Sequence, residues 1–516
     1  MNLQPTAYDV IPYESWPFSQ SHPSHLYTIG RLFGMSPPDF RRARVLEIGC
    51  ASGGNLLPMA ALYPEASFLG VDASCNQVER GQKFLAELGL NNVELRHILV
   101  ENLEEEPFDY ILCHGVLSWV NETVQQAILS KVGRLLTANG IAYISYNALP
   151  GWNMVRSLRE MMQYHTEGFA EPATKATQAR LLLNFLRDNA SFDPHSPYRQ
   201  FLTSEIDLLS GQSDNYFLHD HLEQHNIPLY FHQFVRMAGA VGLQYLGEAN
   251  LPTMFTVNYN QGAQAILGTT NDIIRQEQYM DFLTNRRFRT TLLCRDHVPL
   301  KRNLSLQSLD GFYLQSLLQP EEGHTETTPD FRAFASPNGA RVTSDHPITI
   351  AVLTEIANRK QYPFLLSELI ASVCARQSGL TSEAVATNLQ EWLMTLFAKG
   401  GLVLSAVAPP YTAQISLRPE AWSFARAQAR HQTWVTTMRH EPNHLDIFAL
   451  TLLQHLDGTR TMEDMIALVE QQVRQGNLMF HLDGQPVTDP DALLEFIKTM
   501  FVHQLDVFAQ NALLVR

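Results

Sequence analysis

The stretch Val45-Leu46-Glu47-Ile48-Gly49-Cys50-Ala51-Ser52-Gly53-Gly54-Asn55, followed by Gly70-Val71-Asp72-Ala73-Ser74, constrains the chain more than any other. Val45, Leu46 and Ile48 form a short apolar run of the kind that builds a buried parallel strand, and the glycines behind it let the backbone turn sharply into a helix. Such a turn brings backbone N–H groups to the carboxyl end of a sheet, where doubly wound folds bind nucleotides. Leu69, Gly70 and Val71 supply a second strand. Asp72 at its end stands where a carboxylate accepts hydrogen bonds from both hydroxyls of a ribose. The two segments together predict a nucleoside site in an α/β fold.

Glycine spacing selects among nucleosides. A dinucleotide fingerprint needs G-x-G-x-x-G, whereas this loop reads Gly49-x-Ala51-x-Gly53-Gly54 with Glu47 two positions ahead. With no pyrophosphate to cradle, the loop need only pass close to a small ligand, and Glu47 can face an ammonium group. That suits the methionyl part of S-adenosylmethionine, the expected cofactor. The candidate cofactor-binding residues are Glu47, Gly49, Cys50, Ala51, Gly53 and Asn55 in the loop, Asp72 and Ala73 after the second strand, and His114 and Gly115 after the fourth. Glu101 and Asn102, after the third strand, occupy the place where methyltransferases set an acid or amide against the adenine amine.

From 44 to 150 strands are predicted near 44–48, 67–71, 93–97, 109–113 and 141–145, with helices near 54–62, 74–89 and 122–137. This alternation implies a parallel sheet with helices on both faces. Ahead of it, residues 1–43 are rich in Pro, Tyr, Phe and His, with a helix from Ser24 onward. They read as a lid over the cofactor or as an arm on the sheet edge. The methyltransferase domain is expected over 44–260 and includes a mostly helical insertion near 152–250 that roofs the site. An inter-domain segment follows over 261–318, a linker over 319–345, and a mostly α, winged-helix-like binding or assembly region over 346–516. Arg275, Arg286, Arg287, Arg289, Arg295, Lys301 and Arg302 form a basic cluster, read either as internal ion pairs or as a dock for an acidic partner. His219, His221, His225 and His232 lack the carboxylate or i, i+4 partner of a metal site, so no metal is expected.

A chain of 516 residues divides into several domains. Its 37 Lys and Arg against 52 Asp and Glu leave a net charge of −15, which repels nucleic-acid phosphates. The five cysteines include no C-x-x-C pair, which argues against a disulfide scaffold and a zinc site. Neither an export signal nor a run of about twenty apolar residues is apparent, so a cytoplasmic protein without a membrane span is expected.

Three separated signatures carry a family resemblance: Tyr8-Asp9-x-x-Pro12-Tyr13 with His22-Pro23; the loop Glu47–Asn55; and Phe108–Val120 with Ser145-Tyr146-Asn147-x-x-Pro150-Gly151-Trp152. Together they resemble bacterial class I methyltransferases that carry a methyltransferase regulatory domain, among them the rickettsial-type lysine methyltransferases of outer-membrane proteins. Tyr216–Met254 is similar to the regulatory region and Met280–Arg295 to the family's inter-domain segment, whereas Ile98–Asn102 departs from the family's acidic position. The resemblance implies S-adenosylmethionine as methyl donor and a lysine of another protein, such as an outer-membrane protein, as acceptor. A homodimer is a further expectation, apart from the resemblance. Position alone makes Tyr13, Trp119 and Tyr146 candidates for an aromatic acceptor pocket. A small-molecule N- or O-methyltransferase and a non-catalytic cofactor-sensing regulator are the alternatives.

Overall fold

The computed structural model describes residues 14–190, 193, 195–214, 217–223, 225–321, 332–337, 339–482, 485–487 and 489–515. Short apolar runs build the first five strands: β1 (Arg44–Ile48), β2 (Ser67–Asp72), β3 (Val93–His97), β4 (Phe108–Cys113) and β5 (Leu136–Asn147). Val45, Tyr110, Leu112, Ile141 and Tyr143 face one core. Their neighbours Leu46, Ile111, Cys113, Ala142 and Ile144 face a second core on the other side of the sheet. Such two-sided burial is what a central parallel strand requires.

The helices between strands begin and end where local chemistry allows. Ser74 caps Cys75–Leu88 through its hydroxyl, which accepts from Gln77 N at 3.3 Å. Gly89, at φ 66°, ends that helix in the left-handed conformation. Asn121 caps Glu122–Leu135 by accepting from Val124 N at 3.0 Å.

Two further strands complete a seven-stranded sheet of order β3-β2-β1-β4-β5-β7-β6, with β6 at Leu243–Glu248 and β7 at Phe288–Arg295. β7 runs antiparallel to both β5 and β6, so the sheet is mixed, not purely parallel as expected. Both late strands fall in segments read from sequence as helical or as a basic cluster, and β7 lies beyond the expected boundary at 260. Between β5 and β6, the helices Gly151–Thr166, Pro172–Asn189 and Pro197–Ser210 enclose a small core of their own around Leu158, Met162, Leu183 and Ile206.

The basic cluster is largely internal. Arg289 is fully buried on β7 and bonds Asp281, Glu277 and Glu248 at 2.7–3.0 Å, with its guanidinium 3.9 Å from the Phe231 ring centroid. Arg286 pairs with Asp281 and Arg287 with Glu205. Arg295 donates to the Gly133 and Leu136 carbonyls, and Arg302 to those of Tyr245 and Leu246. These bonds tie the last two strands to the helix Ile273–Thr284 and to β5.

The segment expected as a linker holds a three-stranded antiparallel sheet of Gln319–Pro320, Arg332–Ala335 and Arg341–Ser344. Beyond it the chain builds two modules. The first sets helices Pro347–Asn358, Leu366–Arg376 and Ser382–Ala398 beside short strands at 313–315, 364–365 and 403–405. The second carries the hairpin Trp434–Thr436/Pro442–His444 and the helices Ile447–His455, Met462–Arg474 and Pro490–Gln510. Among the described residues no helix is long and apolar enough to cross a membrane.

Removing Arg289 takes the cation from buried Glu248 and Glu277 and leaves Asp281 to Arg286 alone, so Arg289→Met is expected to lower stability by about 3–5 kcal/mol in chemical denaturation. Burial raises the Glu277 carboxyl from 4.5 to about 7 despite the nearby Arg289. A raised carboxyl gives stability that is complete below its unfolded value and lost as pH rises through the folded one. Glu277→Gln is therefore expected to flatten the fall in stability between pH 5 and pH 8 by about 1–3 kcal/mol, measured by urea unfolding across that range.

Candidate active site

Backbone geometry after β1 shapes the site. Gly49 has φ 77°, and a Cβ there would stand 2.3 Å from Val116 Cγ2. Ala51 holds the left-handed conformation at φ 48° and Gly53 at φ 81°. A Cβ on Gly54 would meet the Ser15 carbonyl oxygen at 1.9 Å, so the N-terminal arm lies directly on the loop. Gly49 N and Cys50 N donate to the Val71 carbonyl at 2.8 and 3.1 Å. Asp72 fastens the other side, its Oδ2 accepting from Ala51 N and its Oδ1 from Ser74 N, each at 2.8 Å.

Outside these strand ends lies a cavity of about 870 Å³. Glu47, Gly49, Cys50, Ala51, Asn55, Asp72, Ala73, Glu101, His114, Gly115 and Trp119 line it, so the structure brings most of the expected residues to one wall. Gly53 and Asn102 are not on that wall; Gly53 serves the turn, and Asn102 is exposed at the end of the 3₁₀ turn Val100–Asn102.

The carboxylates are differently placed. Asp72 is partly exposed to the cavity. Glu47 is buried, and burial raises its carboxyl to about 7 although Asn55 Nδ2 donates to its Oε1 at 2.6 Å. Its Oε2 has no hydrogen-bond partner among the described residues. A buried carboxylate oxygen left over at one end, a second carboxylate at the other, and a glycine turn that a Cβ would fill together fit an adenosyl group carrying an amino-acid tail.

His114 is held by Tyr143 OH at 2.8 Å from its Nδ1 and stacks on Phe18, ring centroids 3.7 Å apart. Burial lowers its pKa to about 4, so the ring is neutral. Cys50, buried against Gly70, has its thiol pushed well up by desolvation and stays protonated.

The aromatic candidates separate. Trp119 is on the cavity wall with Trp152, centroids 5.9 Å apart and nearly perpendicular. Tyr146 is not: it is buried in the second core, stacked on Phe234 at 4.3 Å with its hydroxyl 3.3 Å from Thr291 Oγ1. Its neighbour Asn147, on the opposite side of β5, lines the cavity instead, with a buried Nδ2 that has no partner among the described residues. Tyr13, with the Tyr8–Pro12 part of the resemblance, lies outside the described residues.

The distal arm of the cavity was missed from the sequence. His219, Asp220 and His221, from the turn Phe217–His221, face it together with Glu205 and Phe288. Asp220 is raised to about 7 by desolvation, opposed by Arg159. The signal available was the local crowding of ionisable groups between apolar positions, which sequence reading weighed only as a metal site. Phe18 and Trp16 bring the arm over the cavity.

Comparison with known proteins matches residues 46–142 to a family described as "Methyltransferase domain", 213–295 to "Predicted methyltransferase regulatory domain" and 418–513 to "PKMT, C-terminal winged helix domain". PKMT2 from Rickettsia typhi, solved in complex with AdoHcy, superposes with a TM-score of 0.91 at 35% identity, covering 98% of this chain and 100% of that one. An uncharacterized protein of Rickettsia prowazekii is 35% identical over 519 residues, spanning 98% of this chain and 93% of its own. A second protein of that organism is 45% identical over 234 residues, 45% of this chain and 93% of its own. The chain belongs to the SAM-dependent PKMT methyltransferases, in which a class I methyltransferase domain is joined to a methyltransferase regulatory domain and a C-terminal winged helix.

Proposed function

We propose that this protein transfers a methyl group from S-adenosylmethionine to the side-chain amine of a lysine in another protein. One observation carries the reading: the cavity that holds Asp72 and Glu47 at its strand ends is also walled by Trp119, Trp152 and Asp220. The likeness to R. typhi PKMT2, solved with AdoHcy, and to the PKMT C-terminal winged helix supports it.

When bound, the donor supplies a methyl carbon on a sulfonium, ready for in-line displacement. The protein's task is then mainly positioning. Asp72 keeps its carboxylate oriented through two backbone N–H groups while its remaining lone pairs accept from the ribose hydroxyls. Glu47 Oε2 receives the ammonium of the amino-acid tail. Ile98, Leu99 and Val100 give the adenine an apolar wall, with Glu101 at its rim.

A lysine amine near 10.4 must lose a proton before its lone pair can attack. Desolvation among Trp119, Trp152 and Phe288 favours the neutral amine, and the indole faces hold the ammonium by cation–π attraction before and after transfer. Asp220 takes the proton, since a carboxyl raised to about 7 is matched to that work near neutral pH. As the amine nitrogen bonds the methyl carbon, the carbon–sulfur pair returns to sulfur and S-adenosylhomocysteine leaves. An outer-membrane protein is the acceptor we favour. Tyr164, Leu181 and Phe185, exposed on the insertion, suit contact with a second copy.

Labelled-methyl transfer into a host lysate, followed by mass spectrometry, is expected to place label on lysine; label confined to small molecules would reject the reading. Asp72→Asn is expected to weaken S-adenosylhomocysteine binding in calorimetry by roughly tenfold to a hundredfold, the worth of a hydrogen bond to a charged group. At saturating donor, the rate is expected to rise as pH passes 7, because Asp220 must be ionised. Asp220→Asn is expected to abolish that inflection and to lower kcat about 10²-fold with donor affinity unchanged.

A further inference from the structure

Behind the cofactor wall, Asn55 is met by one residue from the far end of the chain. His440 is buried at the turn of the hairpin Trp434–Thr436/Pro442–His444, within the C-terminal winged helix, and its Nε2 lies 2.8 Å from Asn55 Oδ1. Its backbone holds φ 62°, with His440 N donating to the Thr437 carbonyl at 2.8 Å. Histidine is among the residues enriched in that left-handed region, so the backbone accepts it there, and the use of its side chain is to be read from what the ring touches.

Asn55 shows what the use is. Its amide is saturated: Oδ1 accepts from Phe18 N at 2.9 Å and from His440, while Nδ2 donates to Ser21 Oγ at 3.0 Å and to Glu47 Oε1 at 2.6 Å. The Phe18 backbone can only donate, which fixes the oxygen toward the arm and the NH₂ toward Glu47. An amide so oriented leaves His440 one role, that of a donor from Nε2–H. Burial beside His22, ring centroids 5.0 Å apart, keeps the His440 imidazole neutral and therefore able to hold that single tautomer. With every polar atom of Asn55 spent on protein, the residue expected to touch the cofactor has none to spare for it.

We infer that His440 is a positioning residue of the cofactor site, supplied by the winged helix: by donating to Asn55 Oδ1 it turns the Asn55 amide so that Glu47 Oε1 is held and Glu47 Oε2 faces the ammonium of the donor's amino-acid tail. The same hairpin stacks Trp434 on Trp16 of the arm at 4.3 Å, so one element fixes both the amide and the segment that donates to it. This rests on the cofactor reading given above.

The two fail differently in one calorimetric experiment with S-adenosylhomocysteine and with 5′-methylthioadenosine, which lacks the amino-acid tail. His440→Leu is expected to weaken S-adenosylhomocysteine roughly tenfold while leaving methylthioadenosine unchanged, because only the tail meets Glu47. His440→Gln, which restores a donor, is expected to recover most of the loss. Equal loss for both ligands, no loss for either, or a glutamine variant as weak as the leucine one overturns the positioning role. Absence of binding by the unaltered protein overturns the cofactor reading and this inference with it. If the leucine protein does not fold, Asn55→Asp asks the same question, since it replaces the NH₂ held toward Glu47 by an oxygen; an affinity for S-adenosylhomocysteine equal to that of the unaltered protein overturns the inference.

Discussion

Two backbone N–H groups converge on one carboxylate at the heart of this protein. Asp72 draws Ala51 N and Ser74 N onto its two oxygens, and that single side chain sets the spacing between the turn after β1 and the turn after β2. Everything placed around the cavity takes its position from this clamp. Gly49 and Gly53 turn the loop, Gly54 admits the arm, and Glu47 is carried to the opposite end of the same wall. The clamp works because its members are mostly backbone: a carboxylate fed by amides is oriented without ordering a second long side chain, and its unused lone pairs remain directed outward.

The part of the fold governed by local periodicity was legible. The central strands are the short apolar runs that two buried faces demand, and their helices start at Ser74 and Asn121, residues whose side chains cap for plain chemical reasons. β7 was hidden because Arg289 and Arg295 bracket it and read as solvated charge. Only the three acids gathered around Arg289, one from β6 and two from the helix just ahead of β7, make a buried arginine tolerable, and that gathering is tertiary. β6 was hidden for a similar reason, since Leu243–Glu248 follows a helical pattern with no more notice than Gly242 at φ 76°.

The site was legible along β1 and β2 and less so elsewhere. At the end of β5 the choice between Tyr146 and Asn147 is one of parity, because successive side chains point to opposite faces. The aromatic residue attracted the functional reading, yet it faces Phe234 in the core while Asn147 reaches the cavity. Asn55 lines the cavity, and the partners that occupy its amide lie as far as 34 and 385 positions away in the chain. His440 carries no motif at all. No spacing rule connects a turn near the C-terminus with a loop that follows the first strand.

That separation bears on biosynthesis. The amide of Asn55 waits for a histidine that leaves the ribosome 385 residues later, and Trp16 waits longer still for Trp434. Contacts of such high sequence separation close last and slowly. A nascent chain thus has all seven strands of its sheet synthesised well before the hairpin that carries Trp434 and His440 exists.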